Sequence, residues 1–434
     1  MPSRKRRPRP LNPMPESRYE VLALFTGAMI GASLVIMSTG ALMPFFKSAL
    51  HLDQAQLGWL LSIQFIGSVA MTSVAGLLTD RFGDKAIVRW SGVLMSLSLV
   101  AASLAASFSW LLGCLLVYGI GYAAVTPAGS HAIIFFFKKA DRGIAMGIRQ
   151  CGVPIAGVLG SLLLPAIALR SDYRAALAAA GILTFVASTI ASQFYREPSE
   201  LEGERVSLRT MLAEMVQIAR ESRLILLTLT SMVLIAGQLA LIGFLTLTFV
   251  HRAGYSLSLA LALFTLSQVA AIFGRLSWGW LSDHLFAGSR ALPLATVCVL
   301  VAAIAFAFAS VTAGTPPLWA AFLAAALGFT AEGWLGVSVI GFAEIGGEEH
   351  SGSALGVGLT WTLLAAFVTP ALFGALAQVH GFDVAWRCLA LLQILGVVPA
   401  LLASRAVAPP ASTKALLNCP ERDSNPHDVA TTDT

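Results

Sequence analysis

Apolar residues in this chain gather into twelve long runs, near residues 20 to 44, 55 to 78, 86 to 107, 110 to 137, 144 to 168, 174 to 195, 223 to 249, 257 to 282, 291 to 313, 317 to 343, 353 to 378 and 384 to 404. A helix rising about 1.5 Å per residue needs roughly 20 apolar residues to cross the hydrocarbon of a bilayer. The pattern therefore predicts an all-α membrane protein with twelve transmembrane helices. Composition strengthens this. With 57% hydrophobic residues, 12% charged residues and a mean hydropathy of +0.78, the chain carries more apolar surface than a soluble domain of its size can hide.

Charge adds an orientation. Lys and Arg crowd the loops of one side, beginning with Arg4, Lys5, Arg6, Arg7, Arg9 and Arg18, while the other side holds only Lys47, Arg170, Arg174, Arg252 and Arg387. By the preference of basic loops for the cytoplasm, both termini are expected inside a multi-pass protein of the cell membrane. The net charge of +5 is spread over these loops, so it argues for membrane topology and against nucleic acid.

The runs divide the chain. Residues 1–19 read as a basic, Pro-rich disordered segment, 20–195 as one six-helix bundle and 223–408 as a second. Residues 409–434 read as a disordered polar tail. The linker 196–222 turns charged, and Leu208, Met211, Leu212, Met215, Val216 and Ala219 recur in it at helical spacing, which predicts an amphipathic helix on the membrane surface. The five cysteines show no paired metal spacing and read as packing residues.

Two motifs repeat between the halves. Gly76-x-x-x-Asp80-Arg81-x-Gly83-Asp84-Lys85, a tight charged turn between the second and third runs, is echoed by Gly279-x-x-x-Asp283 after the eighth. Arg142-Gly143-x-Ala145-x-Gly147 is echoed by Ser351-Gly352-x-Ala354-x-Gly356. The first motif resembles the signature loop of the major facilitator superfamily. That resemblance covers about residues 20 to 405 and implies two pseudo-symmetric six-helix bundles. It also implies that Gly76, Asp80, Arg81, Gly83, Lys85, Gly279 and Asp283 form the conformational loops. Asp84 departs from the pattern, which usually has a basic residue there, and a weaker charge network is expected.

The eighth run, Gly274-Arg275-Leu-Ser-Trp278-Gly279, is similar to that of monocarboxylate transporters and oxalate/formate antiporters. In those families an arginine four residues before the loop glycine binds the substrate carboxylate, which implies that role for Arg275. A guanidinium suits it, being always charged and able to donate two parallel hydrogen bonds to a carboxylate. The eleventh run has Thr360 and Trp361 but not those families' basic residue. The fifth run, with Gly152-Val-Pro154, is related to the glycine and proline motif of drug/proton antiporters.

Further candidates come from depth in the membrane. Arg149 lies about two turns inside its run, where a charge is costly unless it meets a partner, faces a watery cavity or snorkels to the surface. Glu332 lies at a similar depth in the other half. It is read as a gate partner of Arg149 or as the group that carries a coupled proton, with His131 as a second candidate carrier. Gln64, Gln238 and Trp361 complete the expected substrate contacts; Trp334 and Trp361 lie deeper than the interfacial tryptophans.

No phosphate-cradling loop and no nucleophile, metal or acid/base constellation stands out. The chain is thus expected to be no enzyme, to need no cofactor or metal, and to work as a monomer on a small molecule. The reading is a secondary transporter working by alternating access, moving a small organic anion (a carboxylate) with protons as a coupling partner. The alternatives are a proton-coupled exporter of drugs or other hydrophobic compounds, and a non-transporting membrane sensor or scaffold.

Overall fold

The computed structural model describes residues 15–138, 142–196 and 216–405. No strand occurs among them. The first half consists of α1 (Pro15–Leu50), α2 (Gln54–Phe82), α3 (Asp84–Ser103), α4 (Phe108–Phe136), α5 (Arg142–Gln150), α6 (Gly152–Arg170) and α7 (Tyr173–Phe194). The second consists of α8 (Ser222–Arg252), α9 (Leu257–His284), α10 (Ala291–Ala309), α11 (Pro317–Ala331), α12 (Leu335–His380) and α13 (Phe382–Arg405). Eleven spans among the described residues are long and apolar enough to cross a membrane. The 29-residue α2 has the length of the twelfth.

Two of the predicted spans are interrupted. The fifth is α5 followed by α6, with Cys151 between them; the tenth is α11 followed by the first part of α12, with Glu332, Gly333 and Trp334 between them. The tenth and eleventh spans run together within α12, where Gly347 and His350 leave helical geometry. The first helix starts at Pro15, inside the segment expected to be disordered. Most of the linker, including Leu208, Met211, Leu212 and Met215, lies outside the described residues.

Helix starts explain much of the layout. Asp53 caps α2 through the main-chain N–H of Gln56, whose side chain answers the Asp53 N–H. Ser107, Asp172 and Ser256 cap α4, α7 and α9 by accepting from the third main-chain N–H of each helix, those of Trp110, Ala175 and Leu259. All four helices begin on the membrane face opposite the termini, where the first turn's unpaired N–H groups need acceptors.

The halves join on that same face. Helix α2 packs along α12, α1 crosses α8, and α6 crosses α9. A Cβ on Gly40 would meet the carbonyl of Ile242, and one on Gly58 that of Pro370, so glycine lets backbones of opposite halves touch. The Gln54 N–H donates to Gln378 Oε1 at 3.0 Å, the Ala371 N–H to Ser62 Oγ at 3.0 Å, and Lys47 Nζ lies 3.2 Å from His251 Nε2. The molecule is closed on the face opposite its termini.

Candidate functional site

The fifth span, α5 with α6, runs antiparallel to α9 across the boundary between halves and meets it at three levels. Ser161 Oγ and Thr265 Oγ1 share a hydrogen bond of 2.8 Å. One turn toward the termini, Gly157 lies against the Gln268 side chain, where any Cβ would overlap it. Deeper still, Arg275 Nη1 donates to the main-chain oxygen of Gln150 at 3.4 Å. That oxygen is available because Pro154, four residues on, has no N–H to give it. A proline in one half thus prepares an acceptor for an arginine of the other.

Gln268 and Arg275 are seven residues apart, hence on one face of α9, and both reach Glu332. Gln268 Nε2 donates to Glu332 Oε1 at 2.7 Å, and Arg275 Nη2 stands 3.7 Å from Oε2. Glu332 is fully buried at the break that ends α11. The break leaves carbonyls without helical partners, and two tryptophans supply donors: Trp278 Nε1 to Phe329 O at 3.1 Å and Trp334 Nε1 to Ala331 O at 2.9 Å. The buried Trp334 is therefore occupied in holding the break.

Arg149, at the end of α5, is 1% exposed. Its Nη2 donates to Ser130 Oγ at 3.1 Å, while Nε and Nη1 have no acceptor. Among the described residues no carboxylate lies within ion-pair distance of it. Tyr122 of α4, half-buried and stacked on Tyr118, lies within electrostatic reach of both Arg149 and Arg275. The two cations therefore address one region between the halves, where among the described residues Glu332 is the carboxylate that stands against them.

Other expected residues lie elsewhere. Glu332 is joined to Arg275 rather than to Arg149. His131 approaches Asp84 with Nδ1 at 3.0 and 3.1 Å from its two oxygens, and Tyr195 donates to Asp84 at 3.2 Å. Asp84 is fully buried, so the departure from the signature pattern builds a contact joining α3, α4 and the end of α7. Gln64 is held by Thr39 Oγ1 and the Leu60 carbonyl. Gln238 is buried with its carbonyl oxygen unpartnered. Trp361 is 50% exposed and shares a helix face with Val368, Leu372 and Val379, all exposed, on the side of α12 opposite Pro370, which meets Gly58 of α2.

Of the first signature loop, the side chains of Gly76, Asp80 and Arg81 lie outside the described residues. Gly83 adopts φ 81° and ψ 161° between α2 and α3, a region open essentially only to glycine. Lys85 lies half-buried in the first turn of α3. In the second loop Gly279 has open space around it, and Asp283 accepts from Arg290, which also holds Glu344 at 2.7 Å and Ser282 at 3.0 Å. Burial works to lower the Arg290 pKa, but hydrogen bonds and charge from Glu344 and Asp283 outweigh it and raise it. The clamp ties the end of α9 to the start of α10 and to α12. Glu344 stays exposed, and the arginine that holds it lies 54 positions away in the chain.

Two bundles of six spans, closed on one face around buried charges contributed by both, define a membrane carrier. The model of the Major Facilitator Superfamily matches residues 25–344. An MFS-type transporter of Mycobacterium tuberculosis is 26% identical over 400 residues, covering 92% of this chain and 88% of that protein. The 3-(3-hydroxy-phenyl)propionate transporter of Escherichia coli K12 is 29% identical over 243 residues, 55% of this chain and 58% of that one. The inward-facing, unoccupied crystal structure of a bacterial homologue of the human lysosomal transporter Spinster superposes with a TM-score of 0.73 at 18% identity, over 91% of this chain and 98% of that one. This chain belongs to the Major Facilitator Superfamily, a family of membrane transporters.

Proposed function

We propose that the protein is a secondary transporter that carries a small organic anion, a carboxylate, by alternating access between its halves, with a proton as the coupled ion. The observation that carries this reading is the buried Arg149, two of whose three guanidinium nitrogens lack an acceptor. An unpaired buried charge is strongly unfavourable, and a carboxylate taking the place of the missing acceptor relieves it. Arg275 adds a second cation, and Glu332 beside it is the group that takes up the proton. One relative is named for a propionate, which agrees with such a cargo. With the termini in the cytoplasm, the closed face is the outer one and the state is inward-facing. The reading requires no catalytic group and no cofactor.

The test is thermal stabilisation of the purified protein by a panel of small carboxylates, amines and hydrophobic drugs. A ligand that binds only the folded state raises the melting temperature. The expected result is stabilisation by a carboxylate, lost in Arg149→Gln. Stabilisation by amines or drugs alone, unchanged in that variant, points instead to the exporter.

A further inference from the structure

On the flank of the first half, α1, α6 and α7 leave a groove of about 1020 Å³ open to the outside of the bundle. Its walls are apolar: Ile30 and Leu34 from α1, Leu159 and Leu163 from α6, Leu183 and Ile190 from α7. Along α1 it extends from Glu20 to Leu34, roughly 21 Å at the helical rise. That exceeds half the hydrocarbon thickness of about 30 Å. Gly27 and Gly31 line it, and the space beside Gly27 is open.

Polarity is confined to one end. Glu20, Gln193 and Arg196 stand there, at the membrane edge on the side of the termini. Glu20 and Arg196 are both exposed. Among the described residues they form no ion pair with each other. An apolar trough the depth of more than one leaflet, ending in an acid and a base that leave each other free, matches one amphiphile. Its chains are long and apolar, and its headgroup carries both a phosphate and an ammonium. A guanidinium with forked donors is the partner a phosphate calls for, and a carboxylate the partner an ammonium calls for.

We infer that this groove is a binding site for a zwitterionic phospholipid drawn from the leaflet on the side of the termini. The site is distinct from the polar region around Arg149 and Arg275, since the groove lining includes none of Arg149, Tyr122, Arg275 and Glu332. It spans the seam between α1 and the α6–α7 pair, so a lipid seated there braces the packing of the first half.

The experiment measures phospholipid retained per chain. The full-length protein is purified from mixed micelles holding equal dioleoyl-phosphatidylethanolamine and dioleoyl-phosphatidylglycerol, washed extensively, extracted and analysed by mass spectrometry. The wild type should retain about one phospholipid per chain, with phosphatidylethanolamine favoured about threefold, the size expected of an exposed charge pair. Glu20→Gln should abolish the preference, Arg196→Gln should lower retention of both lipids, and Gly27→Trp, which fills the open space, should release the lipid. Glu20→Gln changes one exposed side chain and remains informative if Gly27→Trp does not fold. Retention no higher than in Gly27→Trp, or equal retention of the two lipids unaffected by Glu20→Gln, overturns the inference. So does a groove holding only detergent or the linker of residues 197–215, seen as protection of the groove with no phospholipid extracted.

Discussion

Arg275 of the second half donates to the main-chain oxygen of Gln150 in the first, 3.4 Å away. The bond depends on a third residue, because an ordinary residue at position 154 would bring an N–H to the same oxygen.

Pro154→Ala should therefore return the Gln150 carbonyl to its own helix and weaken the tie between halves. A hydrogen bond to a charged group contributes about 1.5 kcal/mol at the lower end, and 1.4 kcal/mol is about a tenfold change in an equilibrium. The population closed on the face opposite the termini should fall by up to that factor, read as a spin-label distance distribution between positions 54 and 378. An unchanged distribution means that the Arg275 contact does not bias the two states.

Glu332 separates charge from shape. Glu332→Ala strips the buried Arg275 of its carboxylate, and breaking a buried pair costs about 3–5 kcal/mol. Glu332→Gln retains an oxygen for Arg275 or Gln268 and should cost clearly less, and Arg275→Gln combined with Glu332→Gln should recover stability relative to Glu332→Ala. Thermal unfolding of the three variants checks this order. If Glu332 carries the coupled proton, the Gln variant should also exchange substrate while losing its response to a pH gradient.

The closed face offers a pH test. Lys47 donates to His251 across the halves, and it can do so only while His251 has a free nitrogen lone pair. His251 also stacks on Phe382, beside Asp383, which is held by Arg252 at 3.7 Å. Protonation of His251 replaces a hydrogen bond with repulsion between two cations. Acidifying from pH 8 to pH 5 should loosen this face, and His251→Gln should flatten the response. Exposed pairs contribute up to about 1 kcal/mol, so the expected change in population is severalfold. Labelling rates of a cysteine placed at Gln378 report it.

Gly83 connects α2 to α3 at φ 81° and ψ 161°. Gly83→Ala should cost about 1–3 kcal/mol from backbone strain alone, measured as a lowered melting temperature. The neighbouring Lys85→Gln, at a half-buried position with ordinary helix geometry, should cost less.

The fold was legible because the bilayer enforces it: apolar runs of spanning length and a repeated loop motif leave few arrangements for the chain. The site was only partly legible. Arg149, Arg275 and Glu332 announced themselves as charges in apolar runs, yet their pairing depends on which helix faces turn inward, and Arg275 meets Glu332 from a helix 57 positions earlier in the chain. Glu332 was expected to meet Arg149 when the side of the termini closes; in this state, closed on the opposite face, it meets Arg275, and depth alone says nothing about azimuth. The same limitation applies to Trp361, whose exposed face follows from α2 packing on the opposite side of α12. Pro154 entered only as part of a motif, because the arginine that uses the carbonyl it frees comes from the other half. Asp84 read as a weakened loop because its partners, His131 and Tyr195, come from two other helices.

The central claim, a carboxylate held at Arg149 and carried across the membrane, is most directly tested by uptake into proteoliposomes of radiolabelled 3-(3-hydroxyphenyl)propionate and of any carboxylate that stabilises the protein. The account predicts saturable uptake by the wild type, accelerated by acid outside and lost in Arg149→Gln, with the variant's fold verified by its melting profile. Uptake by Arg149→Gln at the wild-type rate would contradict it, as would transport of amines or hydrophobic drugs with no carboxylate carried.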